Sequence, residues 1–142
     1  MSSRSVILSI AAVALLAGCA AVPSEAEASA HLAEQLDAVE QLVGGEWSAS
    51  ALGSRECSHT LTLRGTQAGE YRFTQEPVDG DAKFELVLET WIELGYEPRE
   101  LPAPATNPIR TLEATTPDGA ALTFSATDGS LTLEGLGGCS AD

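Results

Sequence analysis

Apolar side chains recur along this chain in two helical stripes and several alternating runs. Between residues 24 and 43, Leu32, Leu36, Val39 and Val43 follow one another at spacings of four, three and four, which puts them on one face of a helix. Glu34, Asp37, Glu40 and Gln41 fall largely on the other side. Ser24 and Glu27 have capping-box spacing after Pro23, and Gly44-Gly45 supply a stop. A second stripe, Phe84, Val87, Leu88, Trp91 and Leu94, lies opposite Glu85, Glu89 and Glu93, with Asp79 and Asp81 near its start and Gly95 near its end. Residues 57–64 alternate, with Cys57, His59, Leu61 and Leu63 on one side and Ser58, Thr60, Thr62 and Arg64 on the other, as in a half-buried strand. A turn over residues 65–69 leads to a second strand at 70–76, where Tyr71 and Phe73 alternate with Arg72 and Thr74. Residues 97–108 carry Pro98, Pro102, Pro104 and Pro108 and read as a long extended connection. Three more strands are predicted at 110–115, 120–126 and 130–135, joined by Pro117-Asp118-Gly119 and by Asp128-Gly129, both strong hairpin signals.

The N-terminus has a different pattern. Arg4 precedes an apolar run over residues 6–17, and Gly18-Cys19 follow, as in an export leader with basic, apolar and small-residue regions. The run is shorter than the roughly 20 residues that span a bilayer. Leu16-Ala17-Gly18-Cys19 resembles the lipobox of bacterial lipoproteins, in which the cysteine receives a diacylglycerol thioether and becomes the first mature residue. The alternative is an ordinary secretory leader cut near the Ala-rich stretch, with Cys19 incidental. The lipobox implies residues 1–18 as signal peptide, lipidated Cys19 with a short tether over 19–24, and one domain over 25–142. An extended tether reaches only about 17 Å, so the domain is expected close to the bilayer.

Cys57 and Cys139 then remain as an even pair in an oxidising compartment, where a disulfide is the default reading. A metal or redox site is the alternative, but there is no C-x-x-C and the histidines are His31 and His59 alone. The pairing constrains topology. In sheet order 1-2-3-4-5 the first and fifth strands are opposite edges, roughly 19 Å apart, beyond the roughly 7 Å a disulfide allows between α-carbons. Order 2-1-5-4-3 makes them antiparallel neighbours. The expected fold is therefore α+β: a five-stranded, mainly antiparallel sheet in that order, with both helices on one face, a ββαβββ core preceded by the N-terminal helix.

Charge narrows the partners. With 21 acidic against 7 basic side chains the chain carries a formal −14, and loss of Arg4 with the leader lowers it by one more. Such a field repels phosphate backbones, which argues against nucleic acid, and it disfavours lying flat on anionic lipid. No G-x-S-x-G, P-loop, G-x-G-x-x-G or H-E-x-x-H is present. Ser58 and His59 are adjacent on a predicted strand and point to opposite faces, so they do not form a catalytic pair; His59 reads as a packing residue near the disulfide. Glu85, Glu89 and Glu93 read as a solvated helix face, and Asp79-Gly80-Asp81 as a helix start rather than a calcium loop, since position 90 is Thr. Gly135-Leu-Gly-Gly-Cys139 reads as a turn at the disulfide. No catalytic residue, metal ligand or cofactor is expected. Trp47, Trp91 and Tyr96, with the proline-rich segment, are the candidate binding groove.

The lipobox, the short helix ending before a tryptophan, the cysteine opening a strand, Trp91-Ile-Glu-Leu-Gly-Tyr96 and the terminal D-G-x-L-T-L…G-C together resemble small actinobacterial lipoproteins of the LppA-like type. The resemblance spans most of the mature chain and carries over no catalytic residue. It implies a lipid-anchored protein on the extracytoplasmic face of the cell membrane. The expected function is a non-enzymatic binding or interaction module for a protein or small-molecule partner. A small-molecule or lipid carrier with a cavity between sheet and helices is the alternative, and an envelope hydrolase ranks third.

Overall fold

Residues Glu25–Val43 form helix α1. The Ser24 hydroxyl accepts from the Glu27 N–H at 3.3 Å, and the Glu27 carboxylate accepts from the Ser24 N–H at 2.8 Å. This is the capping box legible in the sequence, and the backbone hydrogen bond, with the Ser24 side-chain bond after it, holds the Glu27 carboxyl below its usual range. Gly44, at φ 74°, ends the helix. The buried face is Ala28, Leu32, Leu36, Val39 and Val43. Helix α2 (Gly80–Glu93) is capped by Asp79, whose carboxylate accepts from the Ala82 N–H at 2.9 Å. It buries Gly80, Phe84, Val87 and Trp91, and Leu88 packs partly buried against the same core. Leu94, expected in the stripe, is 53% exposed because it lies at the C-cap, where the helical period no longer applies.

The computed structural model describes residues 22–58, 64–103, 105–106 and 108–141. Its strands are β1 (Ser48–Ser58), β2 (Arg64–Thr74), β3 (Arg99–Leu101), β4 (Arg110–Thr115), β5 (Ala121–Thr127), β6 (Ser130–Leu136) and β7 (Ser140–Ala141). They form one antiparallel sheet in order β1-β2-β6-β5-β4-β3, with the two-residue β7 also beside β2. The α+β class holds, with two helices and an open antiparallel sheet. The five-strand order 2-1-5-4-3 does not.

The differences have identifiable causes. The expected turn at 65–69 is the interior of β2, because its glycines serve close approach rather than chain reversal. A Cβ on Gly65 would run into the Ser140 carbonyl, and one on Gly69 would lie 3.1 Å from both Leu136 and Leu52 side-chain atoms. The β1–β2 connection falls at residues 59–63, outside the described residues together with the packing expected of His59. Residues 99–101, read as part of an extended connection, form edge strand β3 between Pro98 and Pro102, a placement prolines tolerate only at a sheet edge.

The disulfide links Cys57 and Cys139 with α-carbons 5.8 Å apart, yet β1 and β6 are not neighbours. β2 lies between them. Gly69 faces Leu136, whereas Thr66 faces Ser140 rather than Cys139, so the chain slips by one residue at 137–139. This is a β-bulge, anchored by the Gly137 N–H on the Ala68 carbonyl at 2.8 Å. Cys57 pairs with Gly65 from the other side, and a Cβ there would sit 3.3 Å from the Cys139 sulfur. The bridge straddles β2 over a glycine, a geometry the simple neighbour argument did not contain.

Both helices cover one face of the sheet, as expected. α1 lies over β2 and β6, and α2 over β4 and β5. Leu112, Leu122, Phe124, Leu131 and Leu133, each no more than 1% exposed, meet the helical stripes there. Gly135 lets α1 approach, since a Cβ would lie 2.5 Å from Leu32 Cδ1; at Gly80 a Cβ would lie 2.6 Å from the Thr127 carbonyl carbon. Arg72 is the buried cation of this layer, paired with Asp37 and Glu40 of α1 and with Glu70. Burial opposes its charge, but the three carboxylates outweigh that and raise its pKa.

Candidate binding face on the open side of the sheet

Strand alternation sends every second side chain away from the helices. Because Arg72 and Leu133 face α1, their neighbours Phe73 and Thr132 must face outward. The register then aligns complete rows across the open face. One row runs Ser48, Phe73, Thr132, Ser125, Thr111 and Leu101, from β1 to β3. It contains no charged side chain. The next runs Ser50, Tyr71, Glu134, Thr123, Glu113 and Arg99. Tyr71 and Phe73 stack with ring centroids 6.0 Å apart and 27° between planes.

Three hollows mark this face, the smallest of about 240 Å³ being bordered by Leu52, Arg55, Glu134 and Leu136. Another of about 360 Å³ has a hydroxyl floor of Thr111, Ser125, Thr127, Ser130 and Thr132 and an apolar wall of Leu101, Pro102, Ala103 and Ile109. Thr111 and Ser125 share a hydrogen bond of 3.0 Å across strands, and Thr127 and Ser130 another of 3.0 Å at the hairpin. The largest hollow, about 510 Å³, is bordered by Arg99, Glu113, Thr123, Glu134 and Leu136 among others. The two larger hollows exceed the roughly 300 Å³ at which small-molecule sites begin.

Two of the cations, Arg72 and Arg110, are committed to the helix side. The Arg110 guanidinium sits 3.8 Å above the Phe84 ring and pairs with Glu100, Glu85 and Asp81 on the helix side. The Glu100 hydrogen bond chiefly raises the Arg110 pKa, and in return Arg110 lowers that of Glu100. On the open face Arg99 pairs with Glu113 at 2.8 Å, and Glu134 borders a hollow that Arg55 also lines.

The groove anticipated from Trp47, Trp91 and Tyr96 is assembled differently. Trp91 is buried, and Tyr96 tilts against it with ring centroids 6.3 Å apart. Burial, and then Asp118, raise the Tyr96 pKa. The gap these two line between α1 and α2 measures about 30 Å³, room for little more than a water molecule. Trp47 does not line it; its indole N–H donates to the Gly44 carbonyl at 2.9 Å while the ring packs on the core. Trp91 belongs to the core, and Trp47 and Tyr96 pack partly buried against it. Cys57 and Cys139 are joined as expected, and Cys19 lies outside the described residues. The open face was missed at the sequence level, although part of its signal was present: the polar halves of the alternating runs carry the hydroxyls of Thr111, Thr123, Ser125 and Thr132 beside Glu113 and Glu134.

Among the described residues no helix is long and apolar enough to cross a membrane, and no three His, Cys, Asp or Glu side chains are placed to share a metal ion. Comparison with protein families, with curated proteins and with solved structures found no match.

Proposed function

We propose that this chain is an exported lipoprotein, anchored through Cys19 to the extracytoplasmic face of the cell membrane, whose domain is a non-enzymatic binding module presenting the open face of its sheet. The carrying observation is the asymmetry of the two faces. Both helices cover one side, while the other exposes two cross-strand rows and hollows of about 360 and 510 Å³. A sheet face solvated on one side is ordinary for antiparallel structure; the aligned hydroxyls beside an aromatic pair are what favour a binding role.

The anchor rests on Leu16-Ala17-Gly18-Cys19 and on the resemblance to small actinobacterial lipoproteins. With α1 beginning at Glu25, the tether is short and the domain stays near the bilayer. Two acyl chains suffice for stable anchoring, at about 0.8 kcal/mol per buried methylene. A carrier holding its cargo between sheet and helices is less favoured, because the gap at Trp91 and Tyr96 measures only about 30 Å³.

Cys19→Ala is expected to move the protein from the membrane fraction to the soluble exported fraction; unchanged partition would sink the anchor. Affinity purification from membranes tests the module. Thr132→Arg, placed in the centre of the neutral row, is expected to lose whatever co-purifies with the wild type, and an unaltered set of partners would count against the open face.

A further inference from the structure

We infer that the open face takes an uncharged saccharide chain laid across the strands, an identification that rests on the binding-module reading and gives it a ligand class. The first reason is the placement of aromatics. Phe84, Phe124 and Trp91 are buried, and Trp47 and Tyr96 pack against the core. Tyr71 and Phe73 alone stand on the open face, half-buried and stacked on each other. An aromatic face receives the apolar C–H face of a pyranose ring, and the tyrosine hydroxyl adds a polar handle.

The second reason is the chemistry of their neighbours. Across β6 from Phe73 lies Thr132, then Ser125 and Thr111; across from Tyr71 lies Glu134, then Thr123. Hydroxyls both donate and accept, and a carboxylate accepts twice, which matches a ligand whose every carbon bears a donor–acceptor group. Hydrogen bonds from ligand hydroxyls to Glu134 are charge-assisted. The third reason is charge. The open face sets Glu113 and Glu134 beside Arg99 and Arg55, within a chain at −14 that disfavours polyanions, so an uncharged ligand fits better than an acidic one.

A protein partner fits less well. Protein interfaces centre on apolar and aromatic cores, whereas the exposed Leu52 and the Leu136 that it approaches over Gly69 lie at one end of this face, and its centre carries Thr132, Ser125, Thr123 and Glu134. Five strand steps at about 4.8 Å make each row about 24 Å long. That length suits an oligosaccharide rather than a single sugar.

The test uses the detergent-extracted, full exported protein titrated with cello-, malto- and chito-hexaose, with an oligogalacturonate of equal length as the anionic control. At least one neutral hexamer is expected to bind saturably and more tightly than its disaccharide. Its affinity should hold between about 0.05 and 0.5 M salt. Tyr71→Ala should weaken it at least about tenfold. Glu134→Gln, at an exposed position where folding is not at stake, should weaken it several-fold. No binding by any of the three, preference for the galacturonate, or full affinity in both variants would overturn the saccharide assignment. A photo-cross-linking residue at Thr123 separates this from the broader reading. A protein adduct there, without saccharide binding, overturns the saccharide and retains the face; no adduct and no saccharide overturns both.

Discussion

The Cys57–Cys139 bridge offers the most direct quantitative check on the architecture. Replacing both cysteines with serine removes a cross-link of sequence separation 82. In the chain-entropy account, a loop of that size contributes about 4.5 kcal/mol at 25 °C, although measured values centre on about 2–4 kcal/mol. That is a large share of the roughly 5–15 kcal/mol by which domains are stable. The structure adds a prediction about where the loss appears. All nine residues Ser48–Glu56 of β1 are exposed, so this edge strand has hardly any buried side chains to hold it and depends on its ladder to β2 and on the bridge. Urea unfolding of the oxidised protein and the double variant should therefore show a loss of about 2–4.5 kcal/mol. Hydrogen exchange of the variant should show the β1 amides exchanging ahead of those of β5, whose Leu122, Phe124 and Ala126 are buried. A loss below about 1 kcal/mol, or β1 and β5 exchanging together, would refute the view that the bridge clamps an otherwise weakly held edge.

Other consequences are open to measurement. Gly80→Ala should destabilise by about 1–3 kcal/mol, because the added methyl meets Thr127 backbone; Gly135→Ala should cost less, because the nearest atoms are Leu32 and Leu36 side-chain tips that can rotate away. Equal melting temperatures for the two variants would contradict this ranking. Arg72→Ala strands Glu40 and Glu70, whose side chains are 24% and 27% exposed; since water still reaches them, the cost should be about 2–3 kcal/mol rather than the 3–5 of a fully buried pair, as read from denaturant midpoints. At Asp118, burial alone would raise the pKa, but hydrogen bonds from Thr116 and Gln35 hold it below the ordinary 3.8. A lowered folded-state pKa contributes stability that is complete at neutral pH and disappears as the pH falls from about 3.8 through the lowered value. Asp118→Asn should therefore flatten the stability curve across that acid range, and an unchanged acid slope would remove Asp118 from the account.

Local chemistry and periodicity determined a good deal of this protein from sequence alone. The capping box at Ser24 and Glu27, the stripe from Leu32 to Val43 and the hairpins at Asp118-Gly119 and Asp128-Gly129 depend on neighbours within a few residues, so they are legible without a fold. The pairing of Cys57 with Cys139 was also accessible, because it was the even pair left once Cys19 was set aside. What the sequence did not determine is which strand lies beside which. The glycines at 65 and 69 look like turn residues, and only contacts with Ser140 and Leu136, some seventy positions away, make them strand interior. The one-residue bulge before Ser140 likewise lets the bridge pass over β2, overturning a neighbour rule that held only for straight strands. Trp91 and Tyr96 became core because two helices close on them. Tyr71 and Phe73 stand on the open face because, among the described residues, both helices pack on the other side of the sheet. An alternating run tells which residues share a face, but not which face the rest of the chain will cover; that depends on long-range packing, and here it separates the core from the candidate binding surface.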